Sequence, residues 1–505
     1  MDSLAPASYE AVPYDAKPIA ATDPDRASVI GRLFGIETAN VARARVLELG
    51  CAEGTNLLAL ASAYPEASFI GIDLSSALLD FARSSLSELA LDNVRFEQGD
   101  ISDLPARSGE FDFVIAHGVY SWVPATVRNA LFAGMRRLLA PRGVGYVSYN
   151  VYPGCHALEA VRQIGTYFAE RSESPVATLD NLREVSRIFS VGLSPDRSAT
   201  SVLKEEFGRA ASADNALLAH HFFGRTSDAV YFHRFVEQAR DHGLEYLADA
   251  FLHLSNPARL DLEGQKVLKR FGTDVVRSEQ CIDILTGTPF RQSLLVRDDL
   301  DFRRELKPDP VTSFFIGCDA KLEDEVDLAP NVPMRFSLPG QSAATLSSPL
   351  NKAMLLHLIE AAPEQVAFED LGVRAAVRVH EAGIPVDAAR VEQSLSEALL
   401  GLYVRGFVHF RTTPLGCLRK PGLRPKALRF ARHQASHGRL VTNRLFVPAP
   451  LPGRARLLLE LLDGTRDRAS LFDHWRALVG SLDPALDREF SAYLDHFGKL
   501  GLLEA

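Results

Sequence analysis

The residue types and spacings that could do chemistry are concentrated in Glu48, Gly50, Ala52, Gly54 and Asn56, with Asp73 following 23 residues after Gly50. Residues 45–49 read as a short buried strand and 50–54 as a turn of small residues that opens an apolar helix (Leu57, Leu58, Leu60, Ala61). Residues 69–73 read as a neighbouring strand that ends in a carboxylate. At the carboxyl ends of parallel strands such a turn lets a ligand approach the backbone, and an acid about 20 residues on can accept ribose hydroxyls. These are the parts of a nucleoside pocket. A pyrophosphate-binding turn would read G-x-G-x-x-G and aim amides at phosphate. Here Gly50-Cys51-Ala52-Glu53-Gly54 carries Glu53 inside the turn, where a carboxylate repels phosphate, and Glu48 adds a second acid.

The elements that must position these groups follow in order. Residues 93–98 form a predicted third strand leading into Gly99-Asp100-Ile101. Residues 111–116 are a fourth, ending in the loop that holds His117, Tyr120 and Trp122. A helical run over 124–140, a turn at Pro141-Arg142-Gly143 and a fifth strand over 145–150 come next, and Tyr152 lies just beyond. Strand-helix alternation of this kind predicts an α/β domain with a parallel sheet. Helices are then expected over 157–168 and through 170–220, with breaks at Pro175, Gly192 and Pro195. A further helix over 230–239 and strands at 243–247 and 290–297 follow. This order resembles the way α/β folds of this kind commonly finish, which implies that residues about 160 to 225 are an insertion within the domain, the alternative being a separate middle domain over 216–312. On the first reading a fragment ending near residue 160 has an open sheet edge and aggregates, whereas one ending near 302 is soluble.

From Phe314 on, helices at 349–362 and 388–402, a short capped element at 366–371, a strand at 408–411 and a basic proline-glycine loop outline a winged helix, and a similar unit starts at 461–471. The expected domains are a 1–40 arm and helix, a 41–160 core, a 161–225 insertion, a 226–312 middle region and a 313–505 winged-helix-like part. In the arm, Tyr9 and Tyr14 could cover the pocket, and Asp23-Pro24-Asp25 marks a helix start.

A chain of 505 residues with 47% hydrophobic content has room for about three domains. It shows neither a basic-then-apolar leader nor a run of about 18 apolar residues, so a cytoplasmic protein without a membrane span is expected. The five cysteines are scattered with no C-x-x-C, so no metal is expected. The net charge is −9, yet 12 basic residues and no acids lie between Glu397 and Glu460. Residues 405–456 are therefore either a nucleic-acid footprint or a surface docked on an acidic neighbour in the same chain.

Glu48-Leu49-Gly50-Cys51-Ala52-Glu53-Gly54 resembles the first motif, E/D-x-G-x-G-x-G, of the class I S-adenosylmethionine-dependent methyltransferases, with Ala52 departing at the middle glycine. The resemblance implies a Rossmann-like seven-stranded fold and S-adenosylmethionine as methyl donor. It also implies a donor site of Glu48, Gly50, Ala52, Gly54, Asn56, Asp73, Leu74, Asp100, Ile101 and His117. The phrases Ile115 to Pro124, Tyr149 to Gly154, Tyr231 to Val236 and Leu461 to Arg468 are similar to bacterial methyltransferases with a methyltransferase regulatory domain. That group includes lysine methyltransferases of bacterial surface proteins, built with a dimerisation insert and a C-terminal domain. A protein lysine acceptor and a homodimer are thereby implied. A lysine nucleophile must be neutral, although its free pKa is about 10.4, so an aromatic channel or a proton relay is required. His117, Tyr120, Trp122 and Tyr152 are the candidate catalytic residues. The rivals are methylation of nucleic acid or of a small molecule, and a non-catalytic donor-binding regulator. No Asn-Pro-Pro-Tyr motif favours the nucleic-acid rival.

Overall fold

The computed structural model describes residues 16–107, 109–169, 174–223, 228–338, 343–480, 483 and 485–504; Tyr9 and Tyr14 lie outside them. Helix α1 (Pro24–Leu33) starts at Asp23, whose carboxylate accepts the Asp25 amide. Strands β1 (Arg45–Leu49), β2 (Ser68–Asp73), β3 (Val94–Gln98) and β4 (Phe111–Ala116) alternate with α2 (Thr55–Ala63), α3 (Ser76–Leu89) and α4 (Ala125–Leu138), and β5 (Leu139–Asn150) completes the parallel part. The sheet order is β3-β2-β1-β4-β5-β7-β6, where β6 (Leu244–Asp249) and β7 (Phe290–Arg297) supply the last two strands and β7 runs antiparallel to both neighbours. Strand order reverses between β1 and β4, and a crevice at the carboxyl ends of these strands is where such sheets bind ligands.

Burial on both faces follows from the near-continuous apolar strands. Leu47, Leu49, Val114, Ala116, Val147 and Leu295 face one core. Val46, Phe69, Phe113, Ile115, Tyr146 and Leu294 face the other. One expectation is corrected here: α4 ends at Leu138, and Pro141-Arg142-Gly143 lies within β5 as a register irregularity opposite Phe111/Phe113. Gly143 permits this, because a Cβ there would lie 2.9 Å from the Phe111 carbonyl oxygen.

Between β5 and β6 the chain leaves the sheet. Helices α5 (His156–Phe168), α6 (Pro175–Gly192) and α7 (Ser198–Ser212) and a π-helical turn at Leu217–Phe222 pack around their own core of Val161, Leu182, Phe207 and Phe222. The chain returns through α8 (Phe232–Asp241), and α9 (Leu262–Leu268) and α10 (Val275–Thr286) lie between β6 and β7. Buried Arg291 on β7 joins these pieces, bonding Asp249 (2.9 Å), Glu279 (2.7 Å) and Asp283 (2.8 Å) with its guanidinium 4.0 Å over the Phe232 ring.

The C-terminal part has two cores. The first contains β8 (Phe315–Cys318), β9 (Lys321–Leu322), β10 (Met334–Ser337), β11 (Ala344–Leu346), α11 (Pro349–Ala361), β12 (Val366–Ala367), α12 (Phe368–Glu381), α13 (Val391–Tyr403) and β13 (Val408–Arg411). The short element expected at 366–371 is thus a two-residue strand plus the start of a full helix. Val29 and Leu33 of α1 are buried in this core. The second holds β14 (Lys426–Ala427), α14 (Arg429–Ser436), α15 (Gly453–Leu461), α16 (Arg468–Val479), α17 (Leu486–Lys499) and β15 (Leu503–Glu504), packed around Trp475, Phe490 and Phe497.

The basic stretch spends many of its charges inside the molecule. Buried Arg411 bonds Asp23 Oδ2 (2.7 Å) and pairs with Asp25 (3.2 Å), and Arg444 donates to the carbonyls of Leu415 and Ala63 (both 3.1 Å). Lys420, Arg424 and Lys426 remain exposed. Among the described residues no helix is long and apolar enough to cross a membrane.

Candidate active site

Glu48 closes the end of β1 with a side chain that is 4% exposed. Its Oε1 accepts a hydrogen bond from Asn56 Nδ2 at 2.8 Å, while Oε2 is buried without a partner. Burial, assisted by the Asp73 charge, pushes its pKa up to about 8 against the Asn56 hydrogen bond. An uncompensated carboxylate at this depth is costly, and a cation set against it removes the cost. Asn56 is itself held, since Oδ1 accepts from the Ile19 amide (2.9 Å) and the Thr22 hydroxyl (3.1 Å).

The turn after β1 is anchored by the Gly50 and Cys51 amides, both donating to the Ile72 carbonyl. Gly50 has φ +70°, and a Cβ there would lie 2.6 Å from Val119; at Gly54, with φ +71°, it would lie 2.5 Å from the Phe96 ring. Ala52 adopts φ +48°, a left-handed conformation that glycine takes more easily, which accounts for the glycine of the motif it departs from. Its amide donates to Asp73 Oδ2 at 2.8 Å, and Asp73 Oδ1 accepts from Ser75 N at 2.9 Å. Asp73 therefore fixes the turn while keeping acceptor capacity on both oxygens. Beyond it Leu74 is 61% exposed, Ile101 is half-buried, and exposed Asp100 caps its turn by accepting from Ser102 N at 2.7 Å.

His117, at the end of β4, has Nδ1 2.9 Å from the Tyr146 hydroxyl, which also accepts from Gln292 Nε2 at 3.0 Å. The imidazole stacks on Tyr146 and meets Phe290 edge-on. Burial pushes its pKa down to about 4, so the ring is neutral at pH 7. Tyr146 and Gln292 escape sequence reading because only the β4-β5-β7 register brings them to His117.

The other expected catalytic residues are spread more widely. Tyr120 is 1% exposed and belongs to the core: its ring packs on Phe132, Tyr149 and Phe235, and its hydroxyl donates to Gln238 (2.6 Å). The loop turns it inward, where it packs into this aromatic set beneath the loop. Trp122 is half-buried at the end of the same turn. Tyr152 stacks on His156 with centroids 4.2 Å apart, leans on Tyr231 at 5.5 Å, and donates to Glu159 Oε2 at 2.5 Å. Desolvation and the Glu159 carboxylate raise the pKa of this phenol. One further group was not expected: Arg439, from the second C-terminal unit, reaches the cofactor turn and bonds Glu53 Oε1 at 2.6 Å and Thr55 Oγ1 at 3.2 Å.

A switch-point crevice with a small-residue turn, a ribose-type acid and a buried unpartnered carboxylate suited to a cation defines a class I methyltransferase. A methyltransferase-domain family model matches residues 46–143, a predicted methyltransferase regulatory domain matches 214–297, and a model described as the PKMT C-terminal winged helix domain matches 424–493. The chain is 30% identical over 488 residues to the uncharacterized protein RP789 of Rickettsia prowazekii, covering 94% of this chain and 86% of that one. It is similar to PKMT2 from Rickettsia typhi, solved in complex with AdoHcy, at 25% identity and a TM-score of 0.86, covering 98% and 100% of the two chains. A trans-aconitate 2-methyltransferase of Deinococcus radiodurans is 39% identical over 101 residues, but these cover only 20% of this chain and 36% of that one. The chain belongs to the S-adenosylmethionine-dependent methyltransferases that carry a methyltransferase regulatory domain. S-adenosylmethionine is its methyl donor, and the orphaned Glu48 Oε2 fits the cationic end of that molecule.

Proposed function

We propose that this methyltransferase acts on lysine side chains of a protein acceptor, on the donor held by the residues around the β1 turn. The carrying observation is the likeness to PKMT2, which extends over nearly all of both chains rather than over the donor fold alone. In this reading Glu48 holds the cationic amino-acid end of the donor, the turn amides lie along it, Asp73 takes the ribose, and Leu74, Asp100 and Ile101 hold the base. When bound, S-adenosylmethionine supplies an electrophilic methyl group. The protein's task is then to place a neutral amine in line with it, an orientational gain of several kcal/mol. Neutral His117 and its Tyr146–Gln292 chain give that position a polar wall without adding a cation, whereas a charged imidazole would oppose the cationic donor and the positive charge that forms on the amine. Trp122 and the Tyr152–His156–Tyr231 set supply the aromatic surface that desolvates lysine and lowers its pKa.

The insertion carries exposed Tyr167, Phe168, Ile188 and Val191, and we assign it to pairing with a second copy. Residues 405–456 serve docking within the chain in this proposal, since Arg411, Arg439 and Arg444 are already bound to it. Incubation with labelled donor and a host lysate tests the function. Label recovered on lysine Nζ is expected, while label confined to nucleic acid or to small molecules overturns the lysine assignment.

A further inference from the structure

Away from the donor crevice, α14 of the second C-terminal unit packs on α3 of the catalytic core. His433 and His437 lie one helical turn apart and present Nε2 atoms to the same oxygen, Glu88 Oε2, at 3.2 and 3.1 Å. The three donor atoms all lie within 4.8 Å of one another. Bonds of about 2.0–2.2 Å to a tetrahedral ion set neighbouring ligand atoms about 3.3–3.6 Å apart, so little movement would be needed to close around one.

Two observations separate this arrangement from an ordinary ion pair. His433 keeps only 10% of its side chain exposed, and its Nε2 makes no hydrogen bond of acceptable geometry although Glu88 is near. His437 has Nδ1 2.9 Å from the His433 carbonyl, an acceptor that fixes the proton on Nδ1 and turns the lone pair of Nε2 toward Glu88. A backbone carbonyl behind the far ring nitrogen is how metal-binding histidines are commonly oriented.

We propose that Glu88, His433 and His437 form a binding site for a divalent transition metal such as Zn2+. Two imidazoles and a carboxylate suit such an ion, and water completes its shell at this half-exposed position. The ion would join α3, the helix that follows the ribose-type acid Asp73, to α14. It would thereby hold the segment that ends in Arg439, two residues past His437, against Glu53 of the cofactor turn.

The full chain, stripped with a chelator, is titrated with Zn2+ against a chromophoric indicator and with Co2+ followed by visible absorption. The parent should bind one equivalent more than His437→Ala and Glu88→Gln, both changes at half-exposed side chains. Co2+ should give a tetrahedral-type band in the parent alone. Zn2+ should also raise the thermal midpoint of the parent and leave both variants unmoved. Equal stoichiometry in all three proteins would mean adventitious binding at other histidines or cysteines and overturn the site, as would no binding by the parent.

Discussion

Glu48 carries two opposed demands in one side chain, because burial penalises its charge while a cationic ligand needs it. Its pKa is raised from an ordinary 4.5 to about 8, so the unliganded protein loses stability as pH rises through that interval and the loss is complete above it. Glu48→Gln keeps a carbonyl for Asn56 and removes the charge. It should melt with the parent at pH 4.5 and above it at pH 9, while donor affinity falls at least about tenfold by calorimetry. An unchanged affinity removes Glu48 from the site. In the parent, binding at pH 7 should release close to one proton, visible as a dependence of the heat on buffer ionisation enthalpy. Asp73→Ala loses the ribose acceptor and also the Ala52 amide bond, so it too should weaken binding about tenfold or more; a folded variant that binds as the parent does would exclude that role. The glycine turn and its two acids were readable because they are local in sequence. Tyr120 was not, since an aromatic on a loop and one tucked beneath it have the same local signature, and neither were Tyr146 and Gln292.

At the scale of elements, the strands that alternate with helices were legible, and β7 spans the expected 290–297. The start of β5 was not, because Pro141-Arg142-Gly143 has turn chemistry and only pairing across the sheet makes it strand. The contacts of α14 were equally hidden: its sequence shows basic charge, but its partners lie on α2 and α3, and Arg439 just beyond it reaches the turn between β1 and α2. Arg439→Gln should leave the fold intact and reduce donor affinity several-fold, because Glu53 then loses its partner and the turn is less well fixed. Equal donor dissociation constants for parent and variant would limit Arg439 to a surface contact. For the insertion, Val191→Asp places a charge on an exposed apolar face of α6. Light scattering should find the parent dimeric and this variant shifted toward monomer, and a monomeric parent would refute the pairing assigned above.

For the whole molecule, the sharing of α1 argues against the expectation that a fragment ending near residue 302 stays soluble. Its sheet would be complete, since β6 and β7 both precede the cut. The weakness lies elsewhere, in how α1 is shared. Val29 and Leu33 have no exposed surface and sit in the core built by residues 311–410. Asp23 and Asp25, on the same helix start, are buried against Arg411, with Tyr64 donating to Asp23 at 2.6 Å. Removing one partner of a buried ion pair costs about 3–5 kcal/mol, a large share of a domain's net stability. Asp23-Pro24-Asp25 announced a helix start but not this second role, because its partner lies nearly 400 residues away. Residues 1–302 should therefore elute as aggregate or melt without a cooperative transition. In the intact chain Arg411→Met should lower the thermal midpoint clearly while leaving the donor residues in place. A monodisperse 1–302 fragment that melts cooperatively and binds S-adenosylmethionine with parental affinity would show that the catalytic sheet stands alone and that α1 is a tether rather than a shared element.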